Sequence, residues 1–184
     1  MIEYIGNCAD IIDWNVVVSE VLESEPDYIG PTFDVSSIHV SGAPELASSL
    51  RTAGHKLLNE GGSMGWSMYF PGKHFSHKVQ DTFCNFVNLK SCYFCWISCI
   101  YPGHMAPWHW DITDEDRTQQ DIEDIKRFHC HITPPYDAHF FVVEDRCFYK
   151  EDQGAVYKWP SRESWHAGSN AGTKVKLLFN IWGV

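Results

Sequence analysis

Two histidines and a carboxylate are the residues of this chain best suited to chemistry. His109-Trp110-Asp111 spaces an imidazole and a carboxylate two positions apart. On an extended segment, positions i and i+2 project to one face, so both groups can reach a single cation. His166, in Trp165-His166-Ala167-Gly168, is a third candidate ligand far downstream. Two neutral imidazoles and one carboxylate fill three positions of an octahedron and leave three open, the facial arrangement that holds non-haem Fe(II). A structural zinc cage needs four closed positions and fits this set less well. A His-x-Asp pair is weak by itself, because a chain with 10 histidines produces one by chance, and a hydrogen-bonded loop pair needs no metal.

These ligands need elements to carry them. The chain divides by texture, with no repeat, low-complexity tract or linker to mark a domain boundary. Residues 1–91 carry helical signals. Ile11, Trp14, Val18, Val21 and Leu22 recur at helical spacing; a second helix is expected from Ser41 through Pro44, Leu46, Leu50, Leu57 and Leu58 to Gly61-Gly62; a third has Ser76 as N-cap before Val79, Phe83, Phe86 and Val87. Gly61 to Lys78 reads as a mobile or substrate-facing loop, or as an ordinary connection. From residue 92 the pattern changes to strands: Tyr93 to Tyr101, Lys126 to Thr133, His139 to Val143, Cys147 to Tyr149, Ala155 to Trp159 and Lys174 to Trp182, separated by Pro- and Gly-containing turns. Helices followed by antiparallel strands predict a mainly β, α+β single domain over 1–184. Its core over 92–184 is expected to be a jelly-roll (double-stranded β-helix, cupin-like) barrel with helices packed outside and a cavity between its sheets.

The run from Ser98 to Trp182, nearly half of the chain, resembles the aspartyl/asparaginyl β-hydroxylase family of Fe(II)- and 2-oxoglutarate-dependent dioxygenases. Four segments carry the resemblance: Ser98 to Gly103; His109; Arg127-Phe128-His129 leading to Thr133-Pro134; and His166 to Lys176 with Phe179-Asn180-Ile181-Trp182. It implies iron ligation by His109 and His166. It also implies that Arg127 and His129 lie at the C1-carboxylate end of 2-oxoglutarate, and that Lys176, helped by Ser98, holds the C5 carboxylate. Two departures stand out. The best-known members have Gly where this chain has Asp111, so the full triad here strengthens iron binding and loosens the link to an Asp or Asn substrate. Lys176 stands where the family usually has Arg, replacing a planar fork by a point charge.

Periodicity offers a separate check. Arg127, His129 and His131 share one face of their strand, opposite Phe128, Cys130 and Ile132; Lys174, Lys176 and Asn180 alternate with Val175, Leu177, Phe179 and Ile181. Such polar faces line a cavity or meet solvent. Lys174 replaces Lys176 as anchor if the register differs by two, and His131 is a substrate contact or a supporting partner of the site.

Composition bounds the remaining choices. With 14 Lys and Arg against 24 Asp and Glu, the net charge of -10 argues against a phosphate-tracking surface. No secretory signal or membrane-length apolar run is visible, and 7 cysteines, an odd number, suit reduced thiols in the cytoplasm. Cys95 and Cys99 are expected on one strand face and Cys92 on the other, as buried small hydrophobes. The seven acids between Asp111 and Asp124 read as a solvated loop with only Asp111 turned inward, or as an acidic lid. His74 and His77 are expected at the surface, and Trp108, Trp110 and Trp165 in the core or shaping a substrate pocket. The resulting expectation is a dioxygenase using Fe(II), 2-oxoglutarate and O2 to hydroxylate an amino acid or peptide side chain, with no nucleic-acid or membrane partner. The rival is a cupin-like metal-binding module or isomerase that does not use 2-oxoglutarate.

Overall fold

The computed structural model describes residues 1–29, 67–109, 125–161 and 164–184. The expected helix from Ser41 to Gly62, Trp110, Asp111 and the acidic run that follows lie outside these residues. Two helices are described. In α1 (Trp14–Leu22), Asp13 caps the start by accepting from the Asn15 and Val16 N–H groups, and Trp14, Val17 and Val21 are buried. In α2 (His77–Phe86), the Ser76 hydroxyl oxygen accepts from the Lys78 N–H, and Phe83 is buried.

Eleven strands are described: β1 (Glu3–Asn7), β2 (Tyr28–Ile29), β3 (Ser67–Tyr69), β4 (Cys92–Ile100), β5 (Met105–His109), β6 (Lys126–His131), β7 (His139–Val143), β8 (Arg146–Tyr149), β9 (Ala155–Lys158), β10 (His166–Asn170) and β11 (Lys176–Gly183). They form a seven-stranded sheet, β1-β9-β6-β11-β4-β3-β2, and a four-stranded sheet, β5-β10-β7-β8. The last eight strands pair antiparallel in a nested series, β4 with β11, β5 with β10, β6 with β9 and β7 with β8. That is one long hairpin coiled into two facing sheets. The protein is a double-stranded β-helix, or jelly roll.

The helices pack outside the larger sheet, as expected. Trp14 and Phe83 meet Phe179 with ring centroids 5.5 and 4.7 Å apart. Ile97, Cys99, Phe128, Cys130, Ile132, Leu177 and Ile181 complete this outer core. Leu22 and Ile11 are exposed, because α1 turns only the Trp14, Val17 and Val21 stripe inward. A second core of Phe141, Val143, Phe148, Ala155, Tyr157, Trp159 and Leu178 fills much of the barrel. Between β4 and β11 the register shifts, with Trp182 opposite Phe94 but Gly183 opposite Cys92. This extra residue brings Cys92 to the side of Cys95, whose thiol it hydrogen-bonds, and corrects the expectation of opposite faces. The expected burial holds for Cys95 and Cys99, whereas Cys92 is half-buried; of the other cysteines, Cys8 and Cys130 are buried, Cys84 is half-buried and Cys147 is exposed. Among the described residues no helix is long and apolar enough to cross a membrane.

Candidate functional site

β5 and β10 bring the two histidines together. His166 is the direct cross-strand partner of His109, and directly opposed residues of an antiparallel pair occupy the same face of the sheet. Neither strand is a strong strand former by sequence: β5 contains Pro107 and β10 reads His-Ala-Gly-Ser-Asn. Pro107 is tolerated because β5 is an edge strand. Between His166 and Gly168 the register shifts again, with Gly168 opposite Ala106, so a bulge in β5 lies beside the histidine pair.

His166 is held in one orientation. It is buried, it packs edge-on against Trp159 with centroids 4.8 Å apart, and its Nδ1 lies 3.1 Å from the Ser164 carbonyl oxygen. A carbonyl only accepts, so Nδ1 carries the proton and Nε2 keeps a lone pair. Such a backbone partner commonly fixes the tautomer of a metal-binding imidazole. Asp111 lies outside the described residues, and among those residues no three His, Cys, Asp or Glu side chains gather as a metal would require. The described part of the triad is therefore a pair of histidine positions.

A cavity of about 100 Å³ opens beside His166, and Ser98, Arg127, Phe141, His166, Leu178 and Asn180 contribute to its lining. Gly168 keeps it open, since a Cβ there would come within 2.7 Å of Ile100 Cδ1. The Ser98 hydroxyl oxygen accepts from Trp96 Nε1 (2.9 Å) and from Asn180 Nδ2 (3.2 Å). With both lone pairs engaged, its own proton remains to be donated. Arg127 is only 2% exposed, and its guanidinium carbon lies 3.5 Å from the Trp159 ring centroid, with Trp182 at 5.1 Å and Trp96 at 5.6 Å. Three indole faces solvate this cation in place of water.

The other expected anchors are placed differently. His129 shares the interior face with Arg127, but it does not line the cavity. Its Nδ1 accepts from Trp159 Nε1 at 2.6 Å, and rings of Tyr157, Phe148 and Phe141 enclose it within 5.3 Å. Burial, followed by the neighbouring His131 and Arg127, pushes it well below the usual imidazole range, so it is neutral. Lys176 points inward and is 3% exposed, whereas Lys174 is exposed and lies before the strand. Lys176 and Ser98 occupy the same face of adjacent strands, yet Lys176 lines a second cavity, of about 20 Å³, together with His131, Thr133 and His139. Burial pushes its ammonium down to about 7 from 10.5. No hydrogen bond or ion pair holds it among the described residues, and the Phe141 ring centroid lies 5.6 Å away. No Asp or Glu among the described residues is buried.

Several expectations need correction. His74 is buried: its Nδ1 lies 2.8 Å from the Ser24 hydroxyl and its Nε2 2.7 Å from Asp27, pinning the start of β2 to the turn after β3. Trp108 and Trp165 are 49% and 43% exposed and stack on one another outside the smaller sheet, because each precedes one of the two paired histidines and so takes the opposite face. Of the segment read as a loop from Gly61, residues 67–69 form β3, and Met68 borders the first cavity. Asn180, read from alternation as facing a cavity, lines the first one; sequence reading did not single out Trp159 or Ser164 for the site, and although alternation places Trp159 inward, its bond to His129 is a tertiary fact.

No family model and no curated protein matches this chain. The resemblance to aspartyl/asparaginyl β-hydroxylases therefore finds no support there. Among solved structures, the chain is similar to a viral collagen prolyl hydroxylase from Paramecium bursaria Chlorella virus-1 described as a 2OG complex (16% identity, 73% of this chain and 87% of that chain, TM-score 0.47). It is also similar to a prolyl-4-hydroxylase from Pseudomonas putida (12%, 94% and 99%, 0.40). A third is a predicted oxalate decarboxylase from Thermotoga maritima (11%, 68% and 85%, 0.41). The nested strand pairing, rather than these likenesses, establishes the jelly roll.

Proposed function

We propose that the protein is an Fe(II)- and 2-oxoglutarate-dependent dioxygenase that hydroxylates an unactivated C–H bond of an amino acid or peptide side chain. The carrying observation is a buried Lys176 inside a barrel whose described residues bury no carboxylate, together with His109 and His166 as direct cross-strand partners. A buried charge is costly without a partner, so this interior is suited to an anion that arrives with the reaction. The donor set fits Fe(II): a lone pair on His166 Nε2 set by Ser164, a second histidine opposite it, and Asp111 two residues beyond His109.

His109, Asp111 and His166 would hold the iron. Bound with 2-oxoglutarate and O2, it supplies C–H hydroxylation with succinate and CO2 as coproducts. The rest falls to the chain. Ser98 donates its free proton to an anionic oxygen in the first cavity, Arg127 supplies a fixed positive charge there, and the indoles around Arg127 exclude water.

The test is an anaerobic titration of the Fe(II)-loaded protein with 2-oxoglutarate. A visible metal-to-ligand charge-transfer band is expected in the wild type and should be lost in His166→Ala. Succinate formation on adding oxygen should be abolished in Asp111→Ala and His166→Ala. Metal binding without the band and without succinate would overturn the proposal in favour of a cupin-like module or isomerase.

A further inference from the structure

The outer side of the smaller sheet carries a feature that the proposed reaction does not use. Trp108 and Trp165 lie there in water, with ring centroids 6.3 Å apart and planes 17° from parallel. Large aromatic side chains left exposed side by side mark a surface built to be covered. A carboxylate stands next to them. Glu144, in the turn between β7 and β8, donates its N–H to the Trp165 carbonyl oxygen (2.8 Å), and its Oε1 accepts from the Trp165 N–H (3.0 Å). These two bonds anchor an exposed carboxyl group at the backbone of Trp165. Its second oxygen has no partner among the described residues, and the adjoining Asp145 is exposed too. The base that follows, Arg146, turns away: its guanidinium lies over Phe148 and Tyr157 of the barrel core, 4.7 Å from each ring centroid. Two indoles and an anchored anion therefore stand together on a chain of net charge -10.

We propose that Trp108, Trp165 and Glu144 form a docking platform for an arginine side chain of a polypeptide; resting on the dioxygenase reading, that polypeptide is the substrate. A guanidinium is planar, stacks on an indole face and presents a fork of N–H donors to a carboxylate, whereas an ammonium brings charge without the plane. Each indole directly precedes one of the paired histidines, and β5, which carries Trp108, is an edge strand. Facing sheets lie about 10 Å apart, so a residue about three positions from the docked arginine reaches the inner side of the sheet in an extended chain.

The experiment is an NMR titration of the whole chain without added metal, reading indole N–H resonances assigned by substituting each tryptophan. The probes are Gly/Ser decapeptides with one central arginine, lysine, citrulline or glutamate. The arginine peptide should shift the Trp108 and Trp165 resonances selectively and bind roughly five- to tenfold more tightly than the citrulline peptide, with lysine between them and glutamate not bound. Glu144→Gln keeps an oxygen for the Trp165 N–H and should erase most of the preference for arginine over citrulline. Trp165→Leu should weaken the arginine peptide several-fold. Equal affinity for arginine and citrulline, or shifts that miss the two indoles, overturns the platform. Binding that neither substitution weakens also overturns it, as general attraction to an acidic chain. If Trp165→Leu does not fold, Glu144→Gln decides. Selective peptide shifts without a charge-transfer band in the Fe(II) titration would sink the dioxygenase reading alone; a band without those shifts would sink the platform alone.

Discussion

Replacing Lys176 by Met should make the free protein more stable, and by an amount that depends on pH. The ammonium sits in the barrel at about 7, against 10.5 in water. Between these values the unfolded chain binds a proton that the folded chain does not, so wild-type stability rises with pH through that window. At about 1.4 kcal/mol per pH unit, burying this lysine costs about 4 kcal/mol at pH 7 and nothing once pH exceeds the unfolded value. Met keeps most of the side-chain volume and removes the charge. The assay is urea unfolding of both proteins at several pH values from 6.5 to about 10, reading the difference between them. Lys176→Met should be the more stable at pH 7, and its advantage should shrink steadily as pH rises. A difference that does not change with pH, or a variant less stable at pH 7, would refute the reasoning that this ammonium is buried without a partner.

Two further perturbations probe the scaffold around the site. Trp159→Phe removes the buried donor to His129 Nδ1 and the indole lying 3.5 Å from Arg127; chemical denaturation should show a loss of about 2–4 kcal/mol, and a change below about 0.5 would contradict it. Gly183→Ala places a Cβ 2.1 Å from the Ser91 carbonyl oxygen, a backbone atom that cannot swing aside, so calorimetry should show a lower melting temperature, corresponding to about 2 kcal/mol or more. An unchanged melting temperature would mean that the β4–β11 bulge gives way freely.

What the sequence disclosed follows from how local each cause is. β7 is legible at its full length because its apolar run ends in turns, with Ala138 and Glu144 at positive φ. The Ser76 cap is legible because a side-chain oxygen meets a backbone N–H two residues on. β5 and β10, which carry the histidines, were not read as strands: a proline and a Gly-Ser-Asn run argue locally against β structure, and only pairing across the sheet imposes it. The inward set of Ser98, Arg127, His129, His131 and Lys176 follows from alternation. The division of that set between two cavities depends on where the Phe141 ring lies, which no spacing encodes. Cys92 was misplaced for a similar reason, since one unpaired residue in β4 reverses the phase.

The nested strand pairing has a consequence for how the protein is made. Only β7 and β8 are neighbours in the chain with a tight connection; each pair outside them closes a longer loop. A zipper running from that hairpin outward is the least costly order, and the two histidines then meet at the third closure. β4 is made about halfway along the chain but waits for β11, the last of the described strands. Through nearly all of the second half of synthesis, an apolar edge therefore lacks its mate, and this chain should lean on chaperones more than a helical protein of equal length.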